Sequence, residues 1–419
     1  MPPLSLTTLT DTPAAPEAGT VLYPSGLPPA AVEALYVHVP FCFHKCHYCD
    51  FYSITRQSPD RMERFVDLVL AEAELWAGSD AYPFAGPRLR PRTVFFGGGT
   101  PSLLPEDAMR RLIEGLRRRI DWSAVDEWTI EINPATATLE YCRMLRESGV
   151  DRLSFGAQSF DPKELKALER HHHPEDVPRS IELARAAGFR RLNLDLIYAI
   201  PGQDLSSWDR SLSAAIRLAT PHLSCYGLTY EPNTPIAVKK RLGTMVPVDD
   251  SVELEMLHHT RRRLSGHGYA PYEISNYSVN GEACRHNLVY WSGGNYVGLG
   301  PSAASHVEGW RWRNRPHLGE WEDAVEVSRL PAADVEHLTP SQRAGELAML
   351  MLRLERGIVL NDFSARTGLD ARSRFAATID RLEQLGLITA APDAIRLTES
   401  GLNVADAVSA EFLSAADSD

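Results

Sequence analysis

The sequence has few cysteines, no long apolar run and no excess of positive charge. No segment approaches the 18 or so consecutive apolar residues of a membrane-spanning helix, so we predict no transmembrane segment. The net charge of −12 argues against a nucleic-acid partner. Because no Lys or Arg precedes Lys45, the basic start of a signal peptide is missing. We therefore expect a cytoplasmic protein, and peripheral association with a membrane stays open.

At 419 residues the chain is too long for one compact core, and we expect two or three domains. Residues 1–30 are rich in Pro, Ala and Thr without periodicity, which predicts a disordered leader. Short apolar strands alternate with amphipathic helices over residues 31–230. Residues 231–337 are predicted to form a linking extension. Residues 338–419 show two helical patterns, a short β-hairpin and a last helix, which predict a winged-helix-like α+β domain.

Six apolar segments have the length and composition of buried strands: Leu35–Val39, Thr93–Phe96, Trp128–Ile132, Arg152–Phe155, Leu192–Ile197 and Leu223–Leu228. Helical patterns lie between them, near residues 60–77, 105–119, 138–148, 161–187 and 204–219. Strands separated by helices of this length predict parallel β/α units, and hence an α/β fold. Six successive units favour an open, partial barrel over a closed eight-fold one. In such barrels the chemistry lies at the carboxyl ends of the strands.

Three of the six cysteines directly follow the first predicted strand, with C-x3-C-x2-C spacing: Cys42, Cys46 and Cys49. Thiolates at such short spacings can hold a 4Fe–4S cluster, and three of them leave one iron open for an outside ligand. A zinc ion with a neighbouring histidine as fourth ligand is the main alternative. A chance grouping of unrelated cysteines is the least favoured interpretation, since three of the six fall within eight residues.

Further polar motifs follow or interrupt the later strands: Gly97–Pro101, Glu131–Pro134, Ser154–Phe160 and Asn193–Ile197. Successive glycines let a ligand approach the backbone and present N–H groups to a carboxylate or ribose, although the same triplet suits a tight turn. Asp195 interrupts an apolar strand, and a carboxylate inside a buried strand is costly unless it is paired. Asp195 is therefore a candidate binding residue.

Together these stretches resemble the radical SAM enzymes. More narrowly, they resemble the branch that holds the oxygen-independent coproporphyrinogen III dehydrogenase and its heme-chaperone relatives of HemW type. The resemblance implies that the three cysteines ligate a 4Fe–4S cluster, that S-adenosylmethionine (SAM) chelates the open iron, and that a reductant supplies electrons. It also implies residues around this SAM and in a second SAM pocket. The first set is Tyr36, Tyr48, Gly98 and Glu131, and the second is Gly99, Thr100, Gln158, Arg170 and Asp195.

Two sequence features help to distinguish the dehydrogenase branch from the heme-chaperone branch. Phe51 stands where the dehydrogenase carries a fourth cysteine, which favours the chaperones, although a Phe packed beside a cluster suits either branch. The stretch His286–Trp291 reads H-N-x-x-Y-W and resembles the heme-associated motif of the chaperones. An extended conformation would place Cys284, His286 and Tyr290 on one face, with His286 as axial heme ligand and Cys284 as second candidate. Alternatively, His286 pairs with backbone groups and the aromatic residues fill the core.

The chain departs from the pattern of both the dehydrogenase and the chaperone branch at two positions. Relatives have Gly and His where this chain has Ser302 and Ala304. The resemblance implies, as the preferred function, a heme chaperone that delivers heme to hemoproteins. The alternatives are oxidative decarboxylation of coproporphyrinogen III without oxygen, and an orphan radical SAM activity on another tetrapyrrole. Whether the protein is an enzyme therefore stays open.

Overall fold

The structure is a computed structural model that describes residues 31–55, 57–78 and 89–416. The predicted leader, residues 1–30, lies outside the described residues. Within the described part of the chain, no helix is long and apolar enough to cross a membrane.

Strands and helices alternate in the first half of the chain, as predicted. The strands are β1 (Ala34–Val39), β2 (Thr93–Gly98), β3 (Glu127–Ile132), β4 (Arg152–Gln158), β5 (Arg191–Tyr198) and β6 (His222–Gly227). The helices are α1 (Pro59–Gly78), α2 (Glu106–Arg119), α3 (Leu139–Glu147), α4 (Pro162–Ala167), α5 (Asp176–Ala186) and α6 (Leu205–Arg217). All six predicted strands are confirmed, because each apolar run is buried against these helices.

The single helix predicted near residues 161–187 is wrong, since α4 and α5 are separate helices. Glu169 adopts a φ of +55°, which no right-handed helix accommodates. Pro174, just before α5, also lacks the N–H that a continuous helix would need. The break places Arg170 in a loop at the carboxyl ends of the strands.

The first six strands are parallel and lie side by side in chain order. They form the middle of a 12-stranded mixed sheet with the order β12-β11-β10-β9-β1-β2-β3-β4-β5-β6-β8-β7. The sheet does not close, because β12 and β7 are its two end strands. The predicted open α/β barrel is therefore confirmed, and residues after 231 extend its sheet on both sides.

The extension contains ten elements. They are α7 (Pro235–Arg241), α8 (Asp250–Ser265), β7 (Ala270–Pro271), β8 (Asn276–Ser278), α9 (Arg285–Trp291), β9 (Tyr296–Leu299), β10 (Ala304–Val307), β11 (Trp310–Asn314), α10 (Leu318–Glu326) and β12 (Ala332–His337). The extended conformation considered for residues 284–291 is wrong, since residues 285–291 form α9. Helical spacing still places His286 and Tyr290 on one face, four residues apart.

The C-terminal elements enclose a second apolar core, separate from that of the barrel. They are α11 (Pro340–Leu352), β13 (Ile358–Val359), α12 (Leu360–Thr367), α13 (Ala371–Arg374), α14 (Ala376–Gln384), β14 (Ile388–Ala390), β15 (Ala394–Leu397), α15 (Glu399–Leu402) and α16 (Ala405–Ala416). The predicted hairpin is confirmed as β14 and β15, and β13 adds a third antiparallel strand beside β15. The two helices, hairpin and last helix of the winged-helix-like pattern are present in this order.

A buried carboxylate fastens α1 to the extension of the sheet. Glu72 accepts hydrogen bonds from Gly300 N at 2.8 Å, Trp321 Nε1 at 2.9 Å and Asn314 Nδ2 at 2.6 Å. Burial raises the pKa of Glu72 to about 7, although these three donors favour the charged form. The packing of α1 therefore includes a group that titrates near neutral pH.

We expect Glu72→Gln to change how stability depends on pH. The folded-state pKa of about 7 lies above the ordinary 4.5, so the folded state binds the proton more tightly and wild-type stability is lost as pH rises through 7. Between about pH 5 and pH 8, the wild type should lose about 2 to 3 kcal/mol of unfolding free energy relative to the variant, measured by urea denaturation. Glu74→Gln is the control, because Glu74 is 72% exposed and should leave the profile unchanged. Parallel profiles for wild type and Glu72→Gln would contradict this assignment.

Candidate cofactor site

The three motif cysteines lie on the loop between β1 and α1, at the carboxyl ends of the parallel strands. All three are free thiols and partly buried. Hydrogen bonds from Cys42 N to Ile54 O at 3.0 Å and from Cys49 N to Cys46 O at 3.2 Å shape the loop. Burial raises the pKa of Cys42, and it raises the pKa of Cys49 to about 11. As thiols, Cys42 and Cys49 are therefore protonated at neutral pH, and a metal group would displace their protons.

The glycine loop after β2 is joined to the chain that enters the cysteine loop. Gly99 N donates to Val39 O at 2.8 Å, and Thr100 N donates to Phe41 O at 2.7 Å. A Cβ at position 99 would lie 2.7 Å from both carbonyl oxygens, so only glycine permits this approach. Thr100 Oγ1 also lies 3.7 Å from Cys42 Sγ. Two separate sequence motifs therefore meet at one edge of the sheet.

Part of the inner face of the barrel is accessible to solvent. Each of the first five strands has one partly exposed residue in its interior: Tyr36, Phe95, Glu131, Gly156 and Asp195. Strand register places Tyr36 beside Phe95 and Gly156 beside Asp195. The exposed residues thus line one hollow, and three of them are residues that the sequence singles out for binding.

Glu131 lies beside the glycine loop within this hollow. Its Oε2 accepts a hydrogen bond from Gly98 N at 3.2 Å. Burial raises the pKa of Glu131 to about 8, and the nearby Asp195 carboxylate adds to the shift. A Cβ at Gly97 would lie 2.9 Å from the same carboxylate. The Glu131 carboxylate, a hydrogen-bond acceptor, therefore lies directly against the backbone of the glycine loop. This arrangement suits ribose hydroxyls or an ammonium group.

The Asp195 carboxylate has hydrogen-bond partners, as a carboxylate within a strand requires. It accepts hydrogen bonds from Asn193 Nδ2 at 2.8 Å and from Ser154 Oγ at 3.2 Å. Burial raises its pKa even so. Asn193 Oδ1 in turn contacts His222 Nδ1 at 2.6 Å, so the pairing continues toward the amino ends of the strands.

Arg170 brings positive charge to the cysteine loop. Its Nη1 lies 3.7 Å from Cys46 Sγ, and its Nη2 donates to Gly156 O at 2.7 Å. Gln158, the last residue of β4, is buried with a φ of +62° close to Gly156. Tyr48 packs against the small apolar cluster that surrounds Ile197, where burial raises its pKa. The structure therefore gathers both sets of predicted SAM residues around the cysteines.

The donor chemistry of this site fits an anionic iron–sulfur cluster with a nucleotide beside it. The loop offers three thiols, and Arg170 supplies a cation next to one of them. The Glu131 carboxylate and the backbone N–H groups of the glycine loop face the same hollow. Within the described ranges, no three His, Cys, Asp or Glu side chains are arranged to hold a metal ion. The fit therefore rests on the types of donor and on their common location.

His286 and Cys284 lie at the opposite end of the barrel. His286 Nδ1 contacts Thr93 Oγ1 at 2.9 Å, and Thr93 is the first residue of β2. Its Nε2 contacts Tyr290 Oη at 2.8 Å, and burial lowers the pKa of His286 to about 3. Cys284 is fully buried with Sγ 3.4 Å from Glu127 Oε1. Neither side chain is open to a heme in this structure, and their ligand roles stay predictions that require α9 to move.

Two residues with structural roles were not predicted, one beside the candidate site and one at the opposite end of the barrel. His38 contacts Tyr36 Oη through Nδ1 at 3.1 Å and Tyr52 O through Nε2 at 2.8 Å. Glu127 accepts from the backbone N–H groups of Arg285 at 3.0 Å and His286 at 2.9 Å, and so caps the start of α9. The alternation of β1 and β3 places both side chains on the inner face, but their partners are distant in sequence.

Two family models match separate parts of the chain. The model of the Radical SAM superfamily matches residues 36–215, and that of the HemN C-terminal domain matches residues 338–404. Among solved structures, coproporphyrinogen III oxidase (HemN) from Escherichia coli has a TM-score of 0.79 and 22% identity, covering 93% of this chain and 91% of that one. This likeness shows that the two proteins share a fold.

Two curated relatives match along nearly their whole length. The heme chaperone HemW of Bacillus subtilis (strain 168) is 32% identical, with 91% of this chain and 99% of that protein covered. The heme chaperone HemW of Mycobacterium tuberculosis (strain ATCC 25618 / H37Rv) is 35% identical, with 91% and 94% covered. The chain therefore belongs to the heme chaperone HemW family of the radical SAM superfamily.

Proposed function

We propose that this protein is a heme chaperone that carries a 4Fe–4S cluster and SAM, binds heme and transfers it to hemoproteins. The observation that supports the cofactor part most directly is the junction of the cysteine and glycine loops beside Arg170. The heme part follows from membership of the family, whose relatives are heme chaperones. We place this activity in the cytoplasm, with a reductant as second partner and no role for nucleic acid.

In this proposal, Cys42, Cys46 and Cys49 ligate three irons of the cluster, which when bound supplies the electron that SAM cleavage requires. The chain's own residues orient the nucleotide and exclude water. The residues proposed around the first SAM are Tyr36, Tyr48, Gly98 and Glu131. Those proposed for a second SAM are Gly99, Thr100, Gln158, Arg170 and Asp195. Arg170 lies next to Cys46 and would also offset the negative charge of the cluster.

The second candidate is oxidative decarboxylation of coproporphyrinogen III without oxygen. The shared fold with coproporphyrinogen III oxidase favours it. The fourth motif cysteine of that branch is replaced here by Phe51, which is 64% exposed and therefore does not simply fill the core. We rank the chaperone first for this reason and because of the relatives.

One reconstituted sample separates the two candidates. Heme added anaerobically to the cluster-loaded protein should give a Soret band that saturates with added heme. Coproporphyrinogen III with SAM and a reductant should give no protoporphyrinogen above a protein-free control. Product formation without a Soret shift would reverse the ranking, and neither signal would leave an orphan radical SAM activity.

Cys46→Ser should abolish the brown chromophore of the anaerobically reconstituted protein, because a serine hydroxyl does not replace a terminal thiolate ligand of a cluster iron. Iron and inorganic sulfide should fall to background in the variant. Cys142→Ala is the matched control, since Cys142 is buried on α3 within the apolar core. Full iron content in Cys46→Ser would show that the loop does not hold the cluster.

Gly98→Ala should weaken SAM binding to the cluster-loaded protein by about tenfold or more. Gly98 has a φ of +100°, and a Cβ there would overlap the His38 ring, which contacts Tyr36 Oη. Gly281→Ala is the control, because Gly281 has a φ of +82° but no heavy atom within 4 Å of an added Cβ. Both variants carry the backbone cost of about 1–2 kcal/mol, and only Gly98→Ala should change SAM retention in equilibrium dialysis. Equal SAM affinity in the two variants would count against the site.

A further inference from the structure

Lysine is rare in this chain, and every lysine lies on one of three segments that meet at the cysteine loop. The sequence has 38 arginines but only five lysines: Lys45, Lys163, Lys166, Lys239 and Lys240. The first belongs to the cysteine loop, the next two lie on α4 and the last two lie on α7. All five are exposed to solvent. The chain therefore concentrates one type of cation on the surface around its candidate cofactor site.

His47, which lies between two of the motif cysteines, joins these three segments. Its N–H donates to the carbonyl oxygen of Leu168, directly after α4, at 3.2 Å, and its own carbonyl accepts from Ile236 N on α7 at 3.1 Å. Lys239 Nζ lies 3.0 Å from His47 Nδ1. Leu168 and Ile236 also share a small apolar core, against which Tyr48 packs. Both helices are therefore held directly against the cysteine loop.

The lysines form no ion pair with a carboxylate of the described residues. Lys240 instead lies 4.4 Å from the ring centroid of Tyr230. Of the nearby carboxylates, Glu164 is buried among hydroxyl and amide donors, and Glu169 lies within 4.0 Å of His44 and His47. Residues 43–51, 162–173 and 230–246 carry seven Lys and Arg against four Asp and Glu, although the whole chain has a net charge of −12. The ammonium groups are therefore available to carboxylates of another molecule.

The same segments expose apolar side chains. Of the eight large apolar side chains exposed in the described part of the chain, four lie here: Phe43 and Phe51 on the cysteine loop, and Leu242 and Val246 at and after the end of α7. Their exposed fractions are between 64% and 77%. Exposed apolar groups among charged ones mark a contact with another macromolecule rather than a solvated face. We call these four residues and the five lysines the lysine surface.

The use of lysine indicates a transient, charge-steered contact. Lys is a strongly hydrated point charge on a flexible stem, whereas Arg is preferred in fixed ion pairs, such as that between Arg191 and Glu127 in this structure. Lys is also depleted from the cores of tight interfaces. Electron-transfer complexes are among the smallest and weakest protein contacts, and complementary charge gives them speed and orientation. A cationic surface of this kind matches an acidic partner.

The position of the lysine surface indicates what such a partner delivers. Cys46 and Cys49 flank His47, so a protein docked over the lysines approaches two of the proposed cluster ligands. The acidic remainder of the chain repels an acidic protein, and this difference in potential directs the partner to the lysine surface. An anionic membrane would be attracted in the same way, but it would bring no electron to the cluster.

We propose that the lysine surface is the docking site of an acidic electron-transfer protein that reduces the cluster. One electron leaves the donor and enters the oxidised cluster, and no bond forms or breaks in this step. This proposal rests on the proposed function and names the surface that receives its reductant.

Binding and electron transfer can be measured separately on the full-length, cluster-loaded protein, with a flavodoxin as the acidic one-electron donor. Lys239→Gln/Lys240→Gln should raise the Kd of the donor about tenfold at about 0.05 M salt, and the difference should disappear near 0.5 M salt, where charges are screened. Lys163→Gln/Lys166→Gln should act in the same direction. Reduction of the cluster by the donor, followed by electron paramagnetic resonance, should slow accordingly. Reduction by photoreduced deazariboflavin, which is small and uncharged, should not change.

Arg118→Gln/Arg217→Gln is the matched control. It removes the same charge from exposed side chains in the last turns of α2 and α6, at the opposite end of the barrel, and should leave the Kd of the donor unchanged.

The possible failures are distinguishable. If wild type assembles no cluster or binds no heme, the proposed function fails. If the cluster-loaded wild type does not bind the donor, or binds it as the lysine variants do, the docking site is wrong and the function stands. Slower reduction by deazariboflavin in the lysine variants would assign the lysines to the cluster itself and overturn the proposal. Weaker binding of these variants to phosphatidylserine vesicles, with an unchanged Kd for the donor, would make the surface a membrane contact instead.

Discussion

Two backbone hydrogen bonds at adjacent strand ends hold the candidate cofactor site together. They run from Gly99 to Val39 and from Thr100 to Phe41, and they tie the glycine loop to the start of the cysteine loop. This contact is available because β1 and β2 are parallel neighbours whose carboxyl ends meet at the same edge. Side chains then add donors and charge at an edge that the backbone has already defined.

The two ends of the barrel differ in what their buried polar groups do. At the carboxyl ends, Glu131 and Asp195 keep partial exposure and raised pKa values, as expected of groups left to meet a ligand. At the amino ends, Glu127 is satisfied by Arg191 and by the first N–H groups of α9. Such complete pairing makes α9 part of the closed base of the barrel.

The C-terminal domain is in direct contact with the extension. Its contacts with Tyr272 and Trp291 bring two parts of the extension to one junction. The junction contains a cavity lined by Arg261 and Arg353. Each is ion-paired, to Glu355 and to Asp406 respectively, and each keeps one buried guanidinium nitrogen without a hydrogen-bond partner.

The sequence by itself determined the alternation of six strands with helices and the place of the cysteine and glycine motifs at the ends of the first two strands. These features follow from local spacing and periodicity, which a chain carries without reference to distant contacts. Only the tertiary structure decided that residues 285–291 are helical, that Glu169 interrupts a helix and that His286 is closed. The reason is distance along the chain: His286 is fixed by Glu127, 159 residues earlier. No local pattern encodes such a pairing.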